Sequence, residues 1–337
     1  MTSPDLDFRP SIAIYGTGAI GSVFAAYLTR AGADVTVIGR EPSIGQVRER
    51  GVSLRGPAGE IHCKVRTAAN PVHVGPVDYL ILAVKQPALP HIAAALAPLI
   101  GPHTVVLPAI NGVPWWLLPR LNYPTALELP FLDPDGELAR VIPASQILGI
   151  VVYIAAQSDA PGQVVQGPRD DMIVGEPDGG ASDRASRFAE LISRSGLVCP
   201  VSTDIRRDIW IKASGNAVFN PLSVLSEATM QDMVEDPYMA RLIVRALGEI
   251  FALGEQLGIS VGMTAQERYE DARKSGPVRT SMLQDALAGR PLEIDALLGS
   301  MVALGEQTHL PMPFTESIWG LVRRLDISRR QRRSEKS

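Results

Sequence analysis

Lys212, Asn216 and Asn220 interrupt an otherwise apolar run, DIWIKASGNAVFNPLSVL, over residues 208–225. A lysine and two amides in apolar surroundings are costly unless each finds a partner. The spacing i, i+4, i+8 puts all three within roughly an 80° sector of a helix turning about 100° per residue. A solvent-facing polar stripe is the plain explanation, but Trp210, Ile211, Val218 and Phe219 crowd the same segment. The chemical explanation is a lysine that donates a proton, its pKa tuned by its surroundings, beside amides that orient a polar substrate. Pro221 is expected to close or bend this helix, because it lacks an N–H and restricts Asn220. Further on, TSMLQDALAGRPLEID offers Ser281 at the start of a short helix and Glu293 at the start of a longer one. Each has a structural alternative: Ser281 as a helix cap, Glu293 as a carboxylate favourable to the helix dipole.

A proton donor implies a partner that moves the other charge. SIAIYGTGAIGSVFAAYL holds Gly16, Gly18 and Gly21 in G-x-G-x-x-G spacing, with Ala19 and Ile20 completing the loop. The motif follows an expected strand and opens an expected helix, the context in which it binds a dinucleotide. Gly16 would allow the tight turn, Gly18 the approach of a pyrophosphate, and Gly21 the packing of helix on sheet. The second strand ends in TVIGRE. Where an NAD site usually places an acidic residue, this sequence has Gly39 and then Arg40, and a guanidinium suits the 2′-phosphate of NADP. Glu41 keeps NAD open as the alternative. Lys85 in ILAVKQP and Asn111 in LPAINGVP follow two further strands, where ligands of open α/β sheets bind. A surface lysine and a turn-forming Asn-Gly are the alternatives for them.

The elements that must position these groups alternate in type through the first half. Strands are expected over 11–16, 34–39, 78–84 and 103–110, with helices over 19–31 and near 87–99. That alternation predicts βαβ units and a mostly parallel sheet. Residues 113–145 carry six prolines and no clean periodicity, and are expected to form a long loop or lid. Trp115 and Trp116 within it either shape a pocket or pack in a hydrophobic cluster. Strand-like pieces return at 146–156, 163–166 and 171–175, followed by a helix near 181–195 and GLVCPV at 196–201. After about residue 204 only helical spacing remains, clearest over 237–257 and 293–308. The expected domains are therefore 1–203, cofactor-binding, and 204–330, helical, with a basic, solvated tail at 331–337.

Composition excludes several classes. The 337 residues are 46% hydrophobic and 20% charged with a net charge of −4, a globular balance without a basic field for nucleic acid or an anionic membrane. Two cysteines, Cys63 and Cys199, give no disulfide framework. The segment MTSPDLDFRP lacks a signal pattern, and no apolar run reaches a membrane span, so a soluble cytoplasmic protein is expected. The five histidines show no metal-ligand spacing, and no metal is expected. The apolar C-terminal helices would serve either a homodimer interface or a monomer's core.

Taken together, GTGAIG, AVKQ, INGV, IWIKASGNAVFNPLS, SMLQD and EID, in that order, make the chain resemble the ketopantoate reductase family. The resemblance implies a Rossmann-type N-terminal domain, an all-α C-terminal domain, and NADPH as cofactor. The implied reaction reduces the ketone of 2-dehydropantoate to (R)-pantoate, on the way to vitamin B5 (pantothenate) and coenzyme A. It further implies Lys212 as catalytic proton donor with Glu293 nearby, and Asn216, Asn220 and Ser281 on the substrate. Asn111, Arg40 and Lys85 would serve the cofactor. With reactive groups in both domains, the expected site is an interdomain cleft.

Overall fold

Five residues with four of them buried, Ser11–Tyr15 (β1), open the first sheet of the computed structural model, which describes residues 9–334. The chain continues through α1 (Ala19–Arg30), β2 (Asp34–Ile38), α2 (Ser43–Arg50), β3 (Val52–Gly56), β4 (Gly59–Cys63) and β5 (Arg66–Ala68). It then forms β6 (Tyr79–Leu82), α3 (Leu89–Leu96) and β7 (Val105–Pro108). Strands covered on both faces need apolar side chains on both, and β6 and β7 are buried at every position. They lie in a five-stranded, all-parallel sheet of order β5-β2-β1-β6-β7. The strand order reverses about β1, as in dinucleotide-binding folds.

After α4 (Glu137–Val141) come β8 (Gly149–Val152), β9 (Ala156–Ala160), β10 (Gln163–Gln166), β11 (Met172–Gly175), α5 (Asp183–Arg194) and β12 (Val201–Ser202). They build two smaller mixed sheets, β4-β3-β10-β9 and β12-β11-β8, and Val106 and Ile147 add a parallel bridge beyond β7. α1 packs on β1 and β2 and also on β3, β4, β9 and β10, which explains why it is buried without a break from Gly21 to Leu28.

The helical part comprises α6 (Ile205–Ser226), α7 (Met230–Glu235), α8 (Pro237–Gln256), α9 (Ala265–Arg273), α10 (Ser281–Leu287), α11 (Ser300–Gln307) and α12 (Pro313–Ser334). A π-helical turn at Asp295–Gly299 leads into α11. α6 is anchored on α8 by Trp210, which is fully buried and donates its indole N–H to the Ile250 carbonyl at 3.1 Å. Gly254 makes room for that ring: a Cβ there would lie 2.6 Å from the indole nitrogen. Glu249 of α8 caps α12, accepting the N–H groups of Phe314 and Thr315 at 3.0 and 2.8 Å. Among the described residues no helix is long and apolar enough to cross a membrane.

The chain divides into two units: residues up to Ile110 with Asp135–Ile205, and Asn111–Pro134 with Arg206 onward. The expected boundary near 204 differs from this in one respect, since 111–134 packs with the helices. The reason is a set of tertiary bonds that proline content does not reveal. Asn122 N–H bonds the Leu257 carbonyl at 2.9 Å, while Gln307 both accepts from Glu128 N–H and donates to its carbonyl, at 2.9 and 2.8 Å. The stretch 113–145 is mostly loop, as expected, but its first part is packed against the helices. It holds a 3-10 helix at Trp115–Arg120 as well as α4, and Trp115 and Trp116 are 6% and 3% exposed.

Other expectations shift as well. α6 runs through Pro221 to Ser226 instead of closing there, and the Ser223 and Ser226 hydroxyls bond the Asn220 and Leu222 carbonyls. In GLVCPV and just beyond it, the structure has the short strand Val201–Ser202 and a parallel Asp171–Val198 bridge. Residues 331–334 of the expected tail continue α12; 335–337 lie outside the described residues, as do residues 1–8 of the opening segment.

In the first unit Arg184 is a strut. It pairs with Glu176 through Nε at 2.7 Å and Nη2 at 2.5 Å, and also bonds the carbonyls of Ser145 and Ile147. These bonds from Arg184, chiefly, hold the Glu176 carboxyl below its ordinary value of 4.5. A depressed carboxyl stabilises the fold above its unfolded pKa and loses that contribution as pH falls through its folded value. Arg184→Ala should therefore cost about 2 kcal/mol at neutral pH. In urea unfolding, the gap between wild type and Glu176→Gln should shrink as the pH drops below the ordinary carboxylate range.

Candidate functional site

In the first unit the three glycines of the loop answer to three different constraints. Gly16 has φ +132°, and a Cβ there would lie 2.4 Å from the Ala83 carbonyl oxygen at the end of β6. Gly21 sits under the carbonyl of Gly16, where a Cβ would come within 2.1 Å. Both are fixed by the protein's own packing. Gly18 is not, since a Cβ there would meet no protein atom within 4 Å. A glycine unconstrained from inside fits the close approach of a ligand's phosphates from outside. Gly18 also begins α1, and no side chain caps that helix. The backbone N–H groups of its first turn, at Ala19 and Ile20, are the kind of donors an anion takes up.

The ends of the neighbouring parallel strands carry the other expected cofactor groups. Arg40 is exposed just past β2, close enough to Tyr15 at the end of β1 for its charge to oppose the upward push of burial on the Tyr15 hydroxyl. Glu41 is engaged: its carboxylate accepts from Arg48 Nη2 and from Gly45 N–H, both at 3.1 Å. Gly39 admits Thr17 of the loop, since a Cβ there would lie 2.7 Å from Thr17 Cγ2. Lys85 is exposed beyond β6.

In the second unit Lys212 is half-buried and donates from Nζ to Asn111 Oδ1 at 2.8 Å. The residue expected to serve the cofactor thus holds the expected proton donor. Next to it, Gly112 has φ +85° and lies so close to the Ala296 carbonyl that a Cβ would come within 2.5 Å of the oxygen. Ala296 belongs to the π-helical turn that follows Glu293, and that carbonyl also accepts from Ser300 Oγ at 2.9 Å. Turns of this type recur at functional sites because the extra residue re-aims side chains. Asn111–Gly112 therefore touches both the Lys212 helix and the turn after Glu293, which is itself half-buried.

Along the stripe from Lys212, Asn216 is half-buried and Asn220 is only 5% exposed. The Asn220 Nδ2 group is buried and has no hydrogen-bond partner among the described residues. A buried, unsatisfied amide donor costs about 1–3 kcal/mol, which an acceptor from a ligand would offset. Ser281 is the first residue of α10 and is exposed, but it is not the cap: Thr280 is, accepting from Leu283 N–H at 3.2 Å. Two residues of this region escaped the sequence reading, Thr280 and Ser223. Ser223 was findable, since it continues the polar stripe beyond Pro221.

Two family models match the chain: "Ketopantoate reductase PanE/ApbA" over residues 12–179, and its C-terminal counterpart over 204–326. A 2-dehydropantoate 2-reductase of Mesorhizobium japonicum is 38% identical over 322 residues, covering 94% of this chain and 98% of its own. A crystal structure from Ralstonia solanacearum, provisionally named a ketopantoate reductase, superposes with a TM-score of 0.90 at 37% identity, covering 96% and 99%. The fold is shared more widely: a D-mandelate dehydrogenase solved with NADH and anilino(oxo)acetate gives 0.82 at 22% identity, covering 95% and 99%. The chain belongs to the ketopantoate reductase family, NAD(P)-dependent oxidoreductases of keto and hydroxy acids.

Proposed function

We propose that this chain reduces 2-dehydropantoate to (R)-pantoate with NADPH, and that Lys212 is the proton donor. The observation that carries the reading is the Lys212–Asn111 hydrogen bond at 2.8 Å, set on a helix stripe that ends in the unpartnered amide of Asn220. The 2-dehydropantoate 2-reductase from Mesorhizobium japonicum supports the choice of substrate.

NADPH, when bound, supplies a hydride to the ketone carbon. The carbonyl bond breaks towards oxygen, and the Lys212 ammonium delivers its proton to the developing alkoxide, becoming a neutral amine that solvent recharges. Asn111, by accepting from Nζ, fixes where that ammonium points. Glu293 is assigned to the same cationic centre. Asn216, Asn220 and Ser281 bind the polar groups of the keto acid. On the cofactor side, the backbone of Gly18, Ala19 and Ile20 takes the pyrophosphate, while Arg40 and Lys85 take the 2′-phosphate and ribose. The choice of NADP over NAD is supported by Glu41: its carboxylate is already bonded by Arg48 and Gly45, which leaves Arg40 as the residue to read the ribose.

Two measurements test this. Lys212→Ala should lower kcat on 2-dehydropantoate by about 10²–10⁴-fold, the range of a general acid, with NADPH affinity nearly unchanged. A variant that turns over like wild type removes the mechanism. A panel of keto acids belongs to the same assay, and 2-dehydropantoate inert beside another reactive acid would replace the substrate. For the cofactor, kcat/KM should favour NADPH over NADH, and Arg40→Ala should reduce that preference by about tenfold or more, as expected on losing a charged hydrogen bond. A wild-type preference for NADH overturns the NADP assignment.

A further inference from the structure

Ser223 stands eleven residues after Lys212, which returns it to within about 20° of the same direction on the helix. It is fully buried, and its Oγ lies 2.6 Å from Oγ1 of Thr280, itself 9% exposed. The proton order of this pair follows from its other bonds. A serine hydroxyl has one hydrogen to give. That of Ser223 goes to the Asn220 carbonyl at 2.7 Å, so the hydrogen between the two hydroxyls belongs to Thr280. Thr280 in turn accepts Leu283 N–H at 3.2 Å. The bonds form a one-way chain: Leu283 N–H to Thr280, Thr280 to Ser223, and Ser223 to the carbonyl of Asn220.

This chain joins two places that matter. One end is the cap of α10, whose first residue is Ser281. The other is the backbone of Asn220, whose buried amide has no partner among the described residues. It reaches α6 next to Pro221, which has no N–H and leaves the helix ladder one bond short. We infer that Ser223 and Thr280 are positioning residues for substrate recognition: their hydroxyl relay fixes the separation between Asn220 and Ser281, and so the fit of the keto acid. The inference rests on the assignment of Asn220 and Ser281 to the substrate.

Steady-state kinetics of the full chain, with NADPH and 2-dehydropantoate, test it. Ser223→Ala leaves the Thr280 cap in place and should raise KM for the keto acid about five- to tenfold, the value of one hydrogen bond, with kcat within about threefold and NADPH Kd unchanged. Thr280→Val should do the same, Thr280→Ser should restore the wild-type KM, and combining Ser223→Ala with Thr280→Val should add little further. Should Thr280→Val fail to fold, Ser223→Ala decides alone. A KM unmoved by Ser223→Ala while Ser281→Ala raises it overturns the relay and leaves the substrate assignment standing. A KM unmoved by Ser281→Ala removes the assignment of Ser281, and the relay's role falls with it. A loss of NADPH affinity in Ser223→Ala reduces the pair to general structural support and overturns the inference as well.

Discussion

The arrangement of the helical unit depends on satisfying one half-buried charge. The Lys212 ammonium sits on a helix whose other faces hold Trp210 and Val218, both buried. One partner, Asn111, stands 101 residues earlier in the chain. A hydrogen bond to a charged group is worth about 1.5–3 kcal/mol, and leaving the charge without one costs at least as much. That bond therefore requires Asn111 to be held firmly. Gly112 holds it by pressing on the Ala296 carbonyl, and the residues that follow bury two tryptophans and bond to Leu257 and Gln307.

The glycine loop shows a second division of labour. A G-x-G-x-x-G match in sequence treats its glycines as equivalent, but the neighbours of each one separate them. Two are demanded by close backbone contacts within the protein, and only Gly18 is left to serve something outside it. Gly39 belongs to the same device, because it seats Thr17 and thereby the loop. Helix α1, which the loop feeds, is buried along eight consecutive residues, so the loop's base rests on a rigid support.

How much of this was legible in the sequence follows from which forces were local. β1, β2, β6 and β7 were readable because strands covered on both faces leave nearly unbroken apolar runs, and α8 because its apolar side chains repeat at helical spacing. The β3–β4 hairpin was missed: β4 alternates exposed Glu60 and His62 with buried Ile61, a short signal split by a Gly-rich turn. Of the two outcomes expected at Pro221, closing the helix did not occur: proline's penalty is local, and α6 continues in packed surroundings to Ser226. The stripe of Lys212, Asn216 and Asn220 was visible as a period, but the partner of Lys212 was not. No rule of spacing links positions 111 and 212. For the same reason the short helix at Ser281 was legible while the Thr280–Ser223 bond beneath it was not.

The division of the chain has a consequence for how such a protein can be inherited. The polypeptide passes between the two units at 110/111, at 134/135 and again at 205/206. A gene fragment beginning at Arg206 would encode every long helix of the second unit, including Lys212, yet omit the amide to which that lysine is bonded. The helices could not be donated to another scaffold by a single cut with their charged centre intact. Recombination that keeps this bond must carry residues 111–134 along.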